Sequence, residues 1–335
     1  MERKHALGLF CLVSFGFAQS VLAENSEKET PQEEQDAKAK EIEVSRAGDE
    51  FVAYLQDLDR RYPDSGKVDV DRLMAEEGER AATLYCKAIG FDGPCAPAEK
   101  EGVQRFASVD ATSTAKGGGF GRSNWWDWLL SHLFNVGVIP EQNACPAPYS
   151  WTQIYMDDED RRNANSRWGW LGATASTNNT AWRFCKLDTV TSLSFRPLPS
   201  AGDQYDYAVQ NMGLLCPSGA RRVIRREDNE DWANANSSSG SVFPSFNLWP
   251  GNWTVFTCHF DGGASSVLGQ MSAFPDIGLK YGVFAPTNMP SNYALQHGYV
   301  YQDDEDFLNL NFWIGSPDTV MGGGSNTWRA LAKVK

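Results

Sequence analysis

One polar pattern occurs three times along this chain of 335 residues, and it constrains the fold more than any other feature. The three stretches are YMDDEDRRNANSRWG from Tyr155, REDNEDWANANSSSG from Arg226 and YQDDEDFLNLNFWIG from Tyr301. They share Asp-x-Glu-Asp-x-x-Asn-x-Asn-x-x-x-Gly without a gap, at steps of 71 and 75 residues. Such recurrence indicates internal duplication, so three similar units are expected. These units cover about residues 128–200, 201–272 and 273–335.

The flanks of this acidic motif extend the repeat to the cysteines. Cys145 and Cys216 each lie fifteen residues before the last Asp of their motif, and Cys185 and Cys258 follow the motif. The third copy has Ser291 and Leu331 at the matching positions, so it lacks both cysteines together. Joint loss is expected if each copy closes its own disulfide, which predicts the pairs Cys145–Cys185 and Cys216–Cys258. The alternative pair Cys185–Cys216 leaves the joint absence unexplained.

The N-terminus is typical of an export signal. A charged start, Glu2 to His5, precedes an apolar run, and Val21-Leu22-Ala23 then places short side chains at the −3 and −1 positions of a cleavage site, so residues 1–23 are predicted to be removed. Six of the seven cysteines lie beyond this segment, as expected for disulfides in an oxidising compartment. The remaining two, Cys86 and Cys95, bracket a short turn and form the third predicted pair. We therefore expect a secreted, periplasmic or extracellular protein with no transmembrane segment.

Composition divides the remaining chain into three regions. Residues 24–40 are polar and predict a flexible acidic leader, whereas residues 41–100 carry apolar side chains at three- and four-residue steps and predict helices. Residues 101–335 have short aromatic and β-branched runs between turn formers, which is typical of an all-β domain. The expected fold is mainly β with a helical N-terminal region. The three units are expected to close as in a β-trefoil or β-prism, or to form three tandem β modules.

The acidic motif has two compatible interpretations. Carboxylate and amide oxygens are the ligands that Ca²⁺ prefers, although Arg162 stands where an EF-hand starting at Asp157 needs glycine. Alternatively, Asp and Asn shape a turn by bonding to nearby backbone, and the terminal glycine fits that role. The third copy has no adjacent Lys or Arg and is the strongest metal candidate. The candidate ligands are Asp157, Glu159, Asp160, Asn163 and Asn165; Asp228, Glu230, Asp231, Asn234 and Asn236; and Asp303, Glu305, Asp306, Asn309 and Asn311. The terminal glycines are Gly169, Gly240 and Gly315.

The most specific functional hypothesis is glycan binding. Trp168, Trp170, Trp232 and Trp313 lie within or just after the motifs, where exposed rings next to polar turns could stack on sugars, and three sites would give multivalent, lectin-like recognition. A secreted polysaccharide-acting enzyme and a structural envelope component are the alternatives. An enzyme is less favoured, since a catalytic carboxylate pair is needed once and this motif occurs three times. The net charge of −13 argues against nucleic acid as a partner.

Overall fold

The computed structural model describes eight stretches of the chain. They are residues 31–63, 67–90, 132–158, 163–229, 234–248, 251–263, 273–304 and 309–335. The predicted export signal and several predicted site residues lie outside them, namely Cys95, Glu159, Asp160, Glu230, Asp231, Trp232, Glu305 and Asp306. Contacts divide the chain into two units, Met1–Ala39 and Lys40–Lys335. Within the described residues no helix is long and apolar enough to cross a bilayer.

Two long helices occupy the N-terminal region. Helix α1 runs from Pro31 to Arg61 and helix α2 from Val70 to Ala88. The start of α1 lies ten residues before the predicted boundary, because residues 31–40 are rich in Glu, Gln, Lys and Ala, which favour helix even without an apolar face. Proline at the first helical position also fits, since the amide proton it lacks would have no partner there. Asp69 caps α2 by accepting a hydrogen bond from the backbone N–H of Arg72 at 3.1 Å.

Fifteen strands in the described residues form one curled antiparallel sheet. They are β1 Val136–Pro140, β2 Ser150–Met156, β3 Ser166–Gly169, β4 Ala175–Ser176, β5 Thr180–Lys186, β6 Tyr207–Asn211, β7 Ala220–Asp228, β8 Ser237–Ser239, β9 Phe246–Leu248, β10 Asn252–Phe260, β11 Tyr281–Phe284, β12 Ala294–Gln302, β13 Phe312–Ile314, β14 Met321–Gly322 and β15 Thr327–Val334. A short helix, α3, spans Thr189–Ser192. The mainly β architecture with an N-terminal helical region is therefore as the sequence predicts.

Strand pairing links distant parts of the chain. Strands β1, β6 and β11 pair with one another, and each pairs with a long strand that follows it, β5, β10 and β15 respectively. Those long strands pair in turn with β2, β7 and β12. On their other edges, these three strands each pair with a short strand from a distant part of the chain: β2 with β8, β7 with β13 and β12 with β3.

Two disulfides form the predicted pairs, and each joins a cysteine in a loop to a cysteine on a long strand. Cys145 is bonded to Cys185 and Cys216 to Cys258, with Cα–Cα distances of 5.5 Å. Of the third predicted pair, Cys86 is disulfide-bonded, whereas Cys95 lies outside the described residues.

Strand register corrects the predicted alignment of the third copy. Val138 pairs with Cys185 and Val209 with Cys258, but Val283 pairs with Ala332. The residue at the cysteine position of the third copy is therefore Ala332, and the predicted Leu331 was wrong by one. The cause is one extra residue in the loop that precedes β15. Asn179 donates a hydrogen bond to Asp157, 22 residues earlier, whereas in the third copy Asn326 donates the matching bond to Asp303, 23 residues earlier.

The helices and the sheet share one apolar core. Phe51 of α1 is fully buried and its ring lies 6.3 Å from that of Phe243 and 6.0 Å from that of Phe246. Ile224 of β7 and Ile314 of β13 belong to the same cluster. Burying a phenylalanine side chain contributes about 1.5–3 kcal/mol. The helical region from Lys40 is thus part of the β domain's fold and covers its β7–β13 face.

Candidate functional site

The described residues of the acidic motif link one motif to another. The backbone N–H of Asp157 donates to Asn236 Oδ1 at 2.8 Å, and its carboxylate accepts from the N–H of Ala235 at 2.6 Å. The same pair of bonds occurs twice more. The backbone N–H of Asp228 donates to Asn311 Oδ1 at 2.7 Å, and the Asp228 carboxylate accepts from the N–H of Leu310 at 2.7 Å. The backbone N–H of Asp303 donates to Asn165 Oδ1 at 2.6 Å, and the Asp303 carboxylate accepts from the N–H of Ala164 at 2.6 Å. Each of these three carboxylates therefore accepts a hydrogen bond from one backbone N–H group of a different motif.

Each motif also shapes its own turn. The backbone N–H of Asn165 donates to Asn163 Oδ1 at 2.9 Å, and Asn234–Asn236 and Asn309–Asn311 make the same bond. The glycines that end the motifs have φ of +71°, +72° and +85°, a region that favours residues without Cβ. A Cβ on Gly240 would lie 2.5 Å from the carbonyl oxygen of Trp151. These contacts agree with the turn-shaping interpretation, and among the described residues no group of three or more His, Cys, Asp or Glu could hold a metal ion.

A second carboxylate in the first and third motifs is fully buried. Asp158 accepts hydrogen bonds from Asn165 Nδ2 at 2.7 Å and Thr180 Oγ1 at 2.6 Å, and Asp304 accepts the matching bonds from Asn311 and Thr327. Burial raises the pKa of the Asp158 carboxyl to about 7 and that of Asp304 well above its usual range. The second motif has Asn229 at this position, which accepts from Asn236 Nδ2 at 3.1 Å.

Buried arginines compensate part of this negative charge. Arg329 forms an ion pair with Glu227, and both side chains are almost completely buried. Arg225 lies 3.5 Å from Asp304 and donates to Thr327 Oγ1 at 3.0 Å. Because these groups are enclosed by the sheet and bonded to one another, they are suited to holding the fold together and not to acting on a ligand from solvent.

A row of three aromatic side chains lies on the outer face of β3, β12 and β15. The rings of Trp168 and Tyr299 are nearly parallel, with centroids 6.4 Å apart and an interplanar angle of 13°. The rings of Tyr299 and Trp328 are 6.0 Å apart at 19°. Trp168 is 52% exposed, which is unusual for so large an apolar side chain. These rings lie side by side because Trp168 is directly opposite Tyr299 in the β3–β12 ladder.

The three rings line one concave surface, which we name the aromatic cleft. Its volume is about 650 Å³. The lining residues are Trp168, Tyr299 and Trp328 together with Pro286, Thr287, Asn288, Thr319 and Ala330. Thr287 and Asn288 are exposed, so their hydroxyl and amide groups can reach a ligand, and Thr319 donates to the carbonyl of Asp203 at 3.0 Å. Exposed rings bordered by neutral hydrogen-bonding groups are the combination that recognises a polar ligand with an apolar face.

The predicted ligand-binding tryptophans occupy different environments. Trp168 lines the aromatic cleft, whereas Trp170 and Trp313 are half-buried against the core. The indole of Trp313 lies 4.7 Å from the guanidinium of Arg225 and its Nε1 donates to the carbonyl of Gly323 at 2.9 Å. Trp232 lies outside the described residues. Of the described tryptophans in the prediction, the structure places one, Trp168, in the cleft.

Sequence reasoning missed Tyr299 and Trp328 as site residues. Tyr299 precedes the third motif on β12, where half-buried and buried side chains alternate from Gly298 to Gln302, and Trp328 follows the motif on β15. The alternation could have placed Tyr299 on the same face as Tyr301, but nothing local in the sequence shows that β3 pairs with β12. The signal for this cleft is therefore a strand pairing between residues about 130 positions apart.

None of the three described histidines, His132, His259 and His297, lines the aromatic cleft. His259 is buried, its Nε2 lies 3.0 Å from Thr257 Oγ1, and burial lowers its pKa to about 3. His132 lies 3.2 Å from Ser241 Oγ, but neither lines the aromatic cleft. Since a general base needs a pKa near the working pH and access to substrate, His259 is not suited to that role.

Comparison with known proteins gives one partial match. No curated protein and no solved structure matches the chain. The model of a family described as bacterial ApeC matches residues 126–254, which include strands β1 to β9 and the first two acidic motifs.

Proposed function

We propose that this protein is an exported, non-enzymatic glycan-binding protein that holds a sugar chain in the aromatic cleft. The observation that carries the proposal is the row of Trp168, Tyr299 and Trp328, because three adjacent, partly exposed rings form one apolar surface that can contact the apolar faces of sugars. Exposed Thr287 and Asn288 supply hydrogen bonds to hydroxyl groups. Two disulfides support folding in an oxidising compartment, as expected for an exported protein.

The three motifs, in this proposal, are structural. We propose that the chain forms three five-strand units around a pseudo-threefold axis, in the manner of a β-prism. The pairs β1–β6, β6–β11 and β11–β1 support this arrangement, as do the pairs β2–β8, β7–β13 and β12–β3. The reciprocal Asp and Asn bonds then close the ring by joining each unit to the next.

Glycan binding is tested with a glycan array and titration of any positive ligand into the full-length protein. Trp168→Ser is the matched variant, since Ser239 occupies the corresponding position on β8, opposite Gln153. We expect this variant to fold normally and to bind about tenfold more weakly or worse, because a stacked ring is lost. Leu295→Ala is the control, since Leu295 is 49% exposed on β12 but does not line the cleft.

The outcomes separate the three functional classes. A silent array with well-folded protein would contradict glycan binding and favour a structural envelope component. Binding that Trp168→Ser leaves unchanged would place the site elsewhere. Release of shortened products from a polysaccharide panel would instead favour the secreted enzyme.

Calcium binding at the acidic motifs stays a prediction. If Ca²⁺ binds the folded protein but not the unfolded chain, a free Ca²⁺ concentration of about a hundred times Kd raises the free energy of unfolding by about 2.7 kcal/mol. The measurement is a thermal melt in millimolar Ca²⁺ and in chelator, with Asp303→Asn as the variant for the third motif. Equal Tm values in the two conditions would leave the motif with the turn-shaping role alone.

A further inference from the structure

We propose that the aromatic cleft binds a single uncharged oligosaccharide chain, with three adjacent sugar units in contact, and that each protein molecule has one such site. This inference rests on the proposed function and makes it specific in ligand length, ligand charge and stoichiometry.

The length follows from the spacing of the rings. The centroid steps are 6.4 Å from Trp168 to Tyr299 and 6.0 Å from Tyr299 to Trp328. These steps place three rings in a row, so that successive rings can contact successive sugar units of one chain. The cleft volume of about 650 Å³ is also large enough for more than one sugar ring.

The charge preference follows from the lining. No carboxylate, ammonium, guanidinium or imidazole lines the cleft among the residues that the structure describes there. The hydrogen-bonding groups are hydroxyls and an amide, and burial raises the pKa of the Tyr299 phenol, so that ring also stays neutral. An anionic glycan would find no cation to pair with in the cleft, and the protein's net charge of −13 would repel it.

The single site follows from strand register at the two comparable places in the sheet. On β2 and β8, Gln153 lies opposite Ser239, where the cleft has Tyr299 and Trp168. On β7 and β13, Ile224 lies opposite Ile314, and both belong to the core shared with α1. Trp328 pairs with the first residue of the third motif, Tyr301. The residues that pair with the first residues of the other two motifs are Ala181 on β5 and Thr254 on β10. Neither place has a row of aromatic rings, so the threefold multivalency expected from the sequence is replaced by one site.

Calorimetric titration of the full-length protein tests the inference. The ligands are uncharged linear oligosaccharides of one to six units and a uronic acid series of the same lengths. We expect one ligand per chain and affinity that rises up to three units and then stays constant. We expect the uronic acid series to bind at least about tenfold more weakly at low salt, since no cation compensates its charge.

Two variants sharpen the test. Trp328→Ala removes an end ring, so affinity is expected to stop rising at two units. Thr287→Lys adds a cation at the cleft and is expected to strengthen binding of the uronic acid series while the uncharged series changes little. Three ligands per chain, or equal affinity for both series, would overturn this inference and leave the proposed function standing. Absence of binding by every glycan would overturn the proposed function itself.

Discussion

Replacement of Arg329 by methionine is expected to lower the free energy of unfolding by about 3–5 kcal/mol, because it leaves a buried carboxylate without its partner. Both Arg329 and Glu227 are at most 2% exposed, and the guanidinium donates to both carboxylate oxygens. The guanidinium also donates to Gln302 Oε1 and lies 5.1 Å from the ring of Trp182. Denaturant titration at neutral pH measures the loss.

Two further variants distinguish a lost partner from a lost volume. Glu227→Met combined with Arg329→Met removes both charges, and Met156 at the end of β2 shows that methionine occurs at the matching strand position. The double variant is expected to recover much of the stability. Arg72→Met breaks an ion pair with Glu76 on the surface of α2 and is expected to cost much less stability than Arg329→Met, because exposed pairs are screened by solvent. An Arg329→Met protein as stable as wild type would contradict a compensating role for this pair.

Asp158→Asn is expected to stabilise the protein relative to wild type, increasingly as the pH rises from about 4 to 7. Asp158 is fully buried, and its pKa is raised from 3.8 to about 7 chiefly by burial, with the charge of Glu227 adding to the effect. The wild-type carboxyl therefore contributes its full stability below pH 3.8, in its protonated form. That contribution is lost as the pH rises towards 7, at up to about 1.4 kcal/mol per pH unit. Asparagine cannot ionise and avoids this loss.

The measurement is the difference in unfolding free energy between Asp158→Asn and wild type at several pH values. The difference is needed because buried His259, with a pKa lowered to about 3, makes wild-type stability change in the opposite direction over nearly the same range. Asn229 at the matching position of the second motif shows that the turn accepts an amide. Exposed Asp276→Asn is the control and is expected to show no such trend. A constant difference between pH 4 and 7 would contradict a buried, protonated Asp158.

Local features of the chain predicted the motif turns and the two described disulfides, Cys145–Cys185 and Cys216–Cys258. The Asn-x-Asn spacing dictates a side-chain bond to the backbone two residues on, as seen for Asn163 and Asn165. Aligning the three copies of the repeat shows that the third copy lacks both cysteines, and this alignment predicts the disulfide pairs without any information on tertiary structure. By contrast, residues 31–40 lack an apolar face, so periodicity could not show that α1 begins at Pro31, although residue propensities favour it.

The aromatic cleft could not be predicted because its residues come from three separate parts of the chain. Trp168 was a candidate because it lies within the first motif, but Tyr299 and Trp328 join it only through the β12–β3 and β12–β15 ladders. Of the other predicted tryptophans, Trp170 and Trp313 pack against the core, and Trp232 lies outside the described residues. The motif repeats, whereas the side chains on the outer faces do not.

The most direct test of glycan binding in the cleft is an NMR titration that follows the indole N–H signals of the tryptophans. An uncharged trisaccharide is added to full-length protein, and signals are assigned with single tryptophan variants. We predict that the signals of Trp168 and Trp328 shift in a saturable way, with one ligand bound per chain. Those of Trp182 and Trp253, which are 2% and 1% exposed, should stay unchanged as internal controls. Saturable shifts confined to Trp313 or Trp170, or no shifts with any glycan, would contradict binding in the aromatic cleft.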